Sequence, residues 1–214
     1  MDVLHADSAL LIVNKPAGMP VLPDGWDADA PYLVKLLEQQ FAKLWVVHRL
    51  DKVTSGVLVF ARTAEAHREL NRQFERHETE KVYHALVNGS PLWTEHTARH
   101  KLRVNVGHSH RTVVDHAKGK SAETAFKVIQ RYSGCGLLEC RPATGKTHQI
   151  RVHAYALGYP LLGDLLYSAP PTDLIARPAL HALRLTITHP ESGQRMTFEA
   201  PYADDFAQAL RKLG

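Results

Sequence analysis

Short runs of apolar residues, several with apolar and polar positions in alternation, recur along the chain and predict β-strands. Glycine, proline, asparagine and serine residues bound most of these runs and predict turns. The strand-like runs cover residues 10–13, 57–61, 81–87, 121–129, 137–141, 182–188 and 195–199. Two pairs of runs are joined by short turn segments, residues 133–136 and 189–194, which predict two β-hairpins.

Apolar residues at helical spacing predict helices between the strands. The first helix is predicted over residues 32–41, and Thr63 is placed to cap a second. A third begins with Thr147 as N-cap and ends at Gly158 in a left-handed cap. A fourth is predicted over residues 204–213 at the end of the chain.

The order of these elements indicates the fold class. Strands in hairpins with interspersed helices, rather than strict alternation of strand and helix, are typical of an α+β fold with a mixed, largely antiparallel sheet and flanking helices. With 214 residues and 44% hydrophobic content, the chain can bury one substantial core. Residues 19–29 predict a surface loop, and no linker separates two domains. We therefore expect one domain over residues 1–214, either compact or cleft into two lobes.

Positive charge is concentrated in one part of the chain. The formal net charge of +4 and the pI of about 9.1 suit a polyanionic partner without establishing one. Between residues 94 and 120, apolar periodicity fades and arginine, lysine and histidine far outnumber acidic residues. Such a stretch is typical of a phosphate-contacting loop or β-ribbon, with a solvated loop as the alternative. Arg103 and Arg111 are candidate RNA contacts.

Several classes of protein are disfavoured by composition. Cys135 and Cys140 lack zinc-ribbon spacing and are too few for a disulfide framework, which favours a reduced, cytoplasmic chain. The 14 histidines lack a cysteine or carboxylate cluster at ligand spacing, so we expect no metal. No apolar run approaches the roughly 18 residues of a membrane span, so we expect neither export nor membrane insertion.

A candidate reacting group lies in the segment His48-Arg49-Leu50-Asp51-Lys52-Val53-Thr54-Ser55-Gly56, directly before the run 57–61. An aspartate in a short loop before a strand is held by the sheet yet open to a ligand, so Asp51 is a candidate nucleophile. Aspartate, threonine, serine and glycine also form ordinary turns. By themselves, these residues favour the turn.

The segment 48–56 resembles the HRLD-x-x-TSG signature of the RluA-like pseudouridine synthases. Two further segments match that family in the expected order: residues 81–85 (Lys-Val-Tyr-His-Ala) and residues 141–153, the latter followed by Gly-Tyr-Pro-Leu-Leu-Gly-Asp at 158–164. The resemblance covers nearly the whole chain. It implies the family's α+β fold with a central catalytic cleft. It also implies the isomerisation of uridine to pseudouridine in ribosomal or transfer RNA, without a cofactor.

The resemblance also implies a role for individual residues. Asp51 occupies the position of the family's essential aspartate, and Arg151 that of its cationic partner, which would keep the carboxylate ionised. Tyr83 matches the tyrosine that stacks on the target base and is implicated in proton removal. Ile150 matches an apolar position of the uracil pocket, and Arg49 the residue that inserts where the base has left its stack. Without the resemblance, Tyr83 and Ile150 are ordinary core residues and Arg151 is a surface helix arginine.

Two departures from the family pattern stand out. The third motif commonly reads Gly-Arg-Thr-His-Gln, whereas Lys146 stands in the arginine position and lacks the bidentate fork of arginine. Many relatives carry an amino-terminal RNA-binding domain of the S4 type, whereas this sequence begins with the catalytic segment. We therefore expect target recognition to involve the catalytic domain, including residues 99–120.

We predict a stand-alone RNA pseudouridine synthase that acts as a cytoplasmic monomer on RNA and not on DNA. A non-catalytic RNA-binding protein with the same fold is the alternative, and the complete set of Asp51, Tyr83 and Arg151 argues against it. A metal-dependent phosphodiesterase that uses the histidines lacks ligand spacing. The identity of the target uridine stays open. So does whether Asp51 attacks the base, attacks the sugar or removes a sugar proton.

Overall fold

The computed structural model describes residues 2–23, 30–108 and 110–214, so part of the loop predicted over 19–29 lies outside the described residues. The chain divides into two compact units. Unit 1 comprises residues 1–81 and 182–203, and unit 2 comprises residues 82–181 and 204–214. A single catalytic domain over residues 1–214 stays a prediction.

The elements follow the predicted order of strands and helices. The strands are β1 (Asp2–Ala6), β2 (Leu10–Lys15), β3 (Trp45–Val46), β4 (Ser55–Ala61), β5 (Glu80–Asn88), β6 (Glu95–Val106), β7 (Arg111–Val114), β8 (Lys120–Tyr132), β9 (Cys135–Pro142), β10 (Leu180–Thr188) and β11 (Arg195–Glu199). The helices are α1 (Leu33–Phe41), α2 (Ala64–Glu75), α3 (Gln149–Ala156) and α4 (Asp204–Leu213), with a 3₁₀ helix at Leu165–Tyr167.

In unit 1 the strands lie in the order β1-β2-β4-β10, with β3 beside β4 and β11 beside β10. The pair β2–β4 is antiparallel and runs from Leu10 opposite Ala61 to Lys15 opposite Gly56. This register places the end of β2 beside the start of β4. Gly56 has a φ of +117°, and a Cβ there would lie 2.1 Å from the carbonyl oxygen of Ala182 in β10. Only glycine therefore allows the close approach of these two strands.

Helix α2 of unit 1 confirms the predicted cap. The Oγ1 of Thr63 accepts a hydrogen bond from the N–H of Ala66 at 3.1 Å. Ala66 and Leu70 are buried, and Phe74 is half-buried on the helix's apolar stripe. The amphipathic stripe therefore packs this helix against the rest of unit 1.

In unit 2 the strands lie in the order β5-β9-β8-β6-β7, and each neighbouring pair is antiparallel. Alternating residues of the sheet and one face of α3 form the core. Its centre includes Ala85, Phe126, Leu138, Ile150 and Ala154. The antiparallel pairing and the flanking helices confirm the predicted α+β class.

The basic stretch 94–120 forms mostly a β-ribbon. Strands β6 and β7 pair antiparallel, with Leu102 opposite Val114 and Val106 opposite Arg111. We call β6, β7 and their turn, residues 95–114, the basic hairpin. Ala98 and Leu102 are buried, so one face of β6 packs on the core. The other face of β6 is exposed and polar, which explains why apolar periodicity is weak in the sequence of this stretch.

The predicted N-cap of α3 is wrong, whereas its predicted C-cap is confirmed. The N-cap residue is His148, in the left-handed conformation with a φ of 54°. Thr147 cannot be the cap, because the chain turns one residue later, where the N–H of Gln149 donates to the carbonyl oxygen of Lys146 at 3.0 Å. At the other end, Gly158 has a φ of +84° and its N–H donates to the carbonyl oxygen of Tyr155 at 2.9 Å.

Among the described residues, no helix is long and apolar enough to cross a membrane.

Candidate active site

Asp51 lies in the loop between β3 and β4, as the sequence predicts. Its carbonyl oxygen accepts a hydrogen bond from the N–H of Thr54 at 2.9 Å, which closes a turn directly before β4. Leu50 is buried, Asp51 is half-buried and Arg49 is exposed. The loop is therefore anchored by its leucine, while the arginine and the aspartate on either side of it reach the surface of unit 1.

A buried lysine holds this loop from inside unit 1. Lys15, the last residue of β2, is 0% exposed. Its Nζ donates to the carbonyl oxygens of Pro16 at 2.7 Å, Met19 at 2.8 Å and Lys52 at 3.2 Å. A buried ammonium group is tolerated only when acceptors surround it, and three carbonyl oxygens do so here. The peptide group that follows Lys52, one residue after Asp51, is thereby fixed to the end of β2.

His48, the first residue of the HRLD segment, is a structural anchor. Its Nε2 accepts a hydrogen bond from the N–H of Val59 at 3.3 Å, and its ring stacks on Phe74 at a centroid distance of 4.5 Å. Burial lowers the pKa of His48 to about 3, and the positive charge of Lys81 contributes to the lowering. The imidazole is therefore neutral and ties the segment to β4 and α2.

Arg151, in α3 of unit 2, is buried and bound by a second buried residue. Its Nε and Nη2 donate to the two carboxylate oxygens of Asp164, both at 2.7 Å, and the two side chains are 5% and 1% exposed. The Cζ of Arg151 lies 5.1 Å from the centroid of the Tyr167 ring. The bidentate pair and the ring fix the plane of the guanidinium. A surface helix arginine, the alternative from the sequence, is excluded.

The segment 158–167 places Asp164 and Tyr167. Gly163 has a φ of +72°, and a Cβ there would lie 2.3 Å from the carbonyl oxygen of Arg177. The carbonyl oxygen of Asp164 accepts hydrogen bonds from the N–H groups of Tyr167 at 3.0 Å and Ala169 at 3.1 Å. The sequence pattern does not identify either residue as part of the site. The available signal is the Gly-Asp pair that ends the third matching segment, with a tyrosine three residues later.

Tyr83 and Ile150 both belong to the main core of unit 2. Ile150 is 5% exposed within the cluster of buried apolar residues, and the half-buried Tyr83 packs against the same cluster. Tyr83 lies opposite Cys140 in the β5–β9 pair. The two residues that the resemblance assigns to the target base therefore pack in the same core.

Gln149 fixes the start of α3. Its Nε2 donates to the carbonyl oxygen of Glu123 at 2.9 Å and to the Oγ1 of Thr124 at 3.0 Å. Its Oε1 accepts from the Oγ1 of Thr144 at 2.6 Å and from the main-chain N–H of Lys146 at 3.0 Å. The contact shown for Lys146 is thus made by its main chain. Any residue except proline can make that bond, so exchange of arginine for lysine leaves it intact.

Arg103 and Arg111, the candidate RNA contacts, both lie on the basic hairpin. Arg111 is exposed at the start of β7. The Nε of Arg103 lies 3.0 Å from a carboxylate oxygen of Asp115. Asp115 therefore compensates part of the charge of Arg103, and Arg111 is the better placed of the two for a phosphate.

In the described parts of the chain, no group of three or more histidine, cysteine, aspartate and glutamate side chains could hold a metal ion.

Comparison with known proteins points to one family. The sequence profile of the family described as RNA pseudouridylate synthase matches residues 9–156. The dual-specificity RNA pseudouridine synthase RluA of Escherichia coli O6:H1 is 38% identical over 201 residues, which cover 93% of this chain and 92% of that protein. The ribosomal large subunit pseudouridine synthase D of Neisseria meningitidis serogroup A is 36% identical over 233 residues, which cover 100% of this chain. The chain spans 61% of that longer relative.

Two solved human structures share the fold. RNA Pseudouridylate Synthase Domain Containing 4 has a TM-score of 0.78 and 25% identity, with 99% of this chain and 92% of that chain covered. RNA Pseudouridylate Synthase Domain Containing 1 has a TM-score of 0.75 and 27% identity, with coverages of 98% and 94%.

Proposed function

Because the chain belongs to the RNA pseudouridylate synthase family, and to its RluA-like group, we propose that it converts uridine in ribosomal or transfer RNA to pseudouridine. The observation that carries the proposal is the presence of Asp51, Tyr83 and Arg151 in three matching segments. The buried pair that Arg151 forms with Asp164 supports a role beyond that of a surface arginine.

The reaction defines what the residues must do. The bond from N1 of uracil to the sugar breaks, a bond from C5 to the same sugar carbon forms, the proton on C5 is removed, and N1 takes up a proton. No electrons are gained or lost, so no redox cofactor is needed. We assign the nucleophile or base to Asp51, in its ionised form. We assign the role of cationic partner of that carboxylate to Arg151, as the resemblance implies.

The base must also be extracted and held. We assign stacking on the loose uracil, and a part in the removal of its C5 proton, to Tyr83. Ile150 would form an apolar wall of the same pocket, which fits its place in the core cluster against which Tyr83 packs. Arg49, exposed beside Asp51, would insert where the target base has left the stack. Arg111 and Arg103 would contact phosphates on the basic hairpin.

The class of RNA rests on the relatives. The Escherichia coli relative is named for dual specificity and the Neisseria relative for the large ribosomal subunit. We propose RNA of these kinds as the substrate, and a monomer that acts in the cytoplasm on RNA and not on DNA.

Asp51→Asn tests the assignment. The change keeps the size and much of the hydrogen-bonding capacity of the side chain and removes its negative charge. Tritium release from RNA that carries 5-tritiated uridine should vanish, while binding of the same RNA should stay within a few fold. Asp173→Asn makes the same chemical change at an exposed position of unit 2 and should behave as wild type.

Two outcomes would count against the proposal. Tritium release by Asp51→Asn would remove Asp51 from its role. Absence of tritium release by the wild-type protein from total ribosomal and transfer RNA, with binding retained, would favour a non-catalytic RNA-binding protein.

A further inference from the structure

Thr112 attaches the basic hairpin to the part of unit 2 that carries Arg151. It lies in β7 and is 0% exposed. Its Oγ1 donates to the carbonyl oxygen of Thr147 at 2.8 Å, directly before α3. Its main-chain N–H donates to the Oη of Tyr167, and that hydroxyl donates to the carbonyl oxygen of Thr112, both at 3.0 Å. β7 is the last strand in the strand order of unit 2. The hydroxyl of Tyr167 therefore satisfies the N–H and the carbonyl oxygen that a neighbouring strand would otherwise bind.

The ring of the same tyrosine supports Arg151. The guanidinium carbon lies 5.1 Å from the ring centroid, within the range of a cation–π contact. Asp164, three residues before Tyr167, binds the guanidinium edge through two bonds of 2.7 Å. Tyr167 is 2% exposed, so the contact is shielded from water. One side chain therefore contacts both the hairpin and the arginine.

The hydroxyl of Tyr167 has little freedom to move. Its proton is used in the bond to the carbonyl oxygen of Thr112, and it accepts from the N–H of the same residue. The Nδ1 of His148 lies 3.2 Å from the same hydroxyl and is a third polar neighbour that holds it in place. Burial raises the pKa of Tyr167, so the hydroxyl keeps its proton at neutral pH.

We propose that Tyr167 is a positioning residue that couples the basic hairpin to Arg151. RNA bound on the hairpin acts on Thr112, Thr112 holds the hydroxyl of Tyr167, and the ring holds the guanidinium. Contacts on the hairpin then affect the rate of the chemical step as well as affinity. The coupling rests on the proposed function, since it acts through the arginine of the pseudouridine-forming site.

Tyr167→Phe cuts the link at one atom, because it removes the hydroxyl and keeps the ring. We expect a roughly tenfold lower single-turnover rate at saturating enzyme, since small displacements of a catalytic group cost rate steeply. The Kd for RNA should change by less than about threefold, because the charges on the hairpin are unchanged. Thr112→Val, which removes only the bond to Thr147, should lower the same rate by a smaller factor.

Tyr155→Phe is the matched control. Tyr155 lies on α3, its ring centroid is 6.0 Å from that of Tyr167, and the residue is 44% exposed. Loss of its hydroxyl should leave both the saturated rate and the Kd at wild-type values. If this control slows the reaction as much as Tyr167→Phe, the effect belongs to the packing of α3 and the proposal is overturned.

A double-mutant cycle with Arg111→Gln separates coupling from a structural role. Arg111 is exposed and Thr112 buried, so their side chains point to opposite faces of β7. In the wild-type background, Arg111→Gln should lower both affinity and saturated rate. In the Tyr167→Phe background it should lower affinity alone, because the link is already cut.

Different results would refute the coupling and the proposed function. The coupling is refuted if Arg111→Gln and Tyr167→Phe lower the saturated rate by factors that multiply in the double variant. It is also refuted if Tyr167→Phe keeps the wild-type saturated rate. If Tyr167→Phe does not fold, the same cycle with Tyr167→Met, which fills the space with a flexible apolar side chain and also lacks the hydroxyl, tests the coupling by the same criterion. Failure of the wild-type protein to release tritium refutes the proposed function instead, so the two failures are distinguishable.

Discussion

Replacement of Arg151 by methionine should lower stability as well as activity. The substitution leaves the carboxylate of Asp164 buried without the bidentate partner that holds it at 2.7 Å. Replacement of both residues, as Arg151→Met with Asp164→Leu, removes both charges and fills the space with apolar groups. The double variant should therefore recover stability without recovering activity.

The magnitude follows from the burial of the pair, whose side chains are 5% and 1% exposed. Removal of one partner of a buried ion pair costs about 3–5 kcal/mol, whereas replacement of the whole pair by apolar residues is often neutral. For a chain of this size, about 2–4 °C in Tm accompanies each kcal/mol. We therefore expect Arg151→Met to melt roughly 6–20 °C below wild type. The double variant should lie within about 1 kcal/mol of wild type.

Urea unfolding measures the stability of each variant, and single-turnover tritium release measures its activity. Arg151→Met should release little or no tritium, because the cation assigned to the reaction is gone. A single variant that loses less than about 1 kcal/mol would show that the pair contributes little to stability. Turnover by the double variant would show that Arg151 has no part in the chemistry.

Three further predictions concern single side chains. Tyr83→Phe should remove most activity while the protein stays folded, and near-normal turnover would show that its hydroxyl has no chemical role. Arg111→Gln should weaken RNA binding and reduce the log–log salt slope by about 0.7–0.9 for a lost phosphate contact. Arg103→Gln should do less because of Asp115, and an unaltered isotherm for both variants would make the hairpin a merely solvated surface. Since the pKa of His48 is about 3 in the folded protein against an ordinary value of 6.5, its contribution to stability is complete above pH 6.5. That contribution should fall by up to about 1.4 kcal/mol per pH unit as the pH drops from 6.5 towards 3. His48→Phe should flatten this slope in urea unfolding at pH 7 and 4.5, and an unchanged slope would mean that the imidazole is not buried in its neutral form.

Elements with a local signal at their ends are predicted well from the sequence. Strand β11 and helix α4 have the predicted bounds, and Gly158 ends α3 in the predicted left-handed cap. Strand β1 was not predicted, because its sequence Asp-Val-Leu-His-Ala is partly exposed and lacks an apolar run. It becomes a strand through pairing with β2, which is a tertiary effect.

The resemblance proposes which residues act in the reaction, but it does not identify the residues that hold them in place. Lys15 reaches the carbonyl oxygen of Lys52, 37 positions along the chain, and Asp164 reaches Arg151 across 13 positions. Neither separation matches the repeat of a helix or a strand, so a sequence pattern does not reveal these contacts. Thr147 fails for a different reason. Threonine is a good N-cap residue, but the turn in which the N–H of Gln149 donates to the carbonyl oxygen of Lys146 places the cap one residue later, at His148.

The burial of Lys15 makes it a reporter for chemical footprinting. An amine-acylating reagent reaches exposed lysines such as Lys35 of α1 directly, whereas Lys15 at 0% exposure is shielded. Acylation of Lys15 therefore requires that β2 and the loop after Asp51 first separate, and its rate measures how often they do. Mass spectrometry of both lysines in one sample would follow the opening of this loop in the intact protein, with and without RNA.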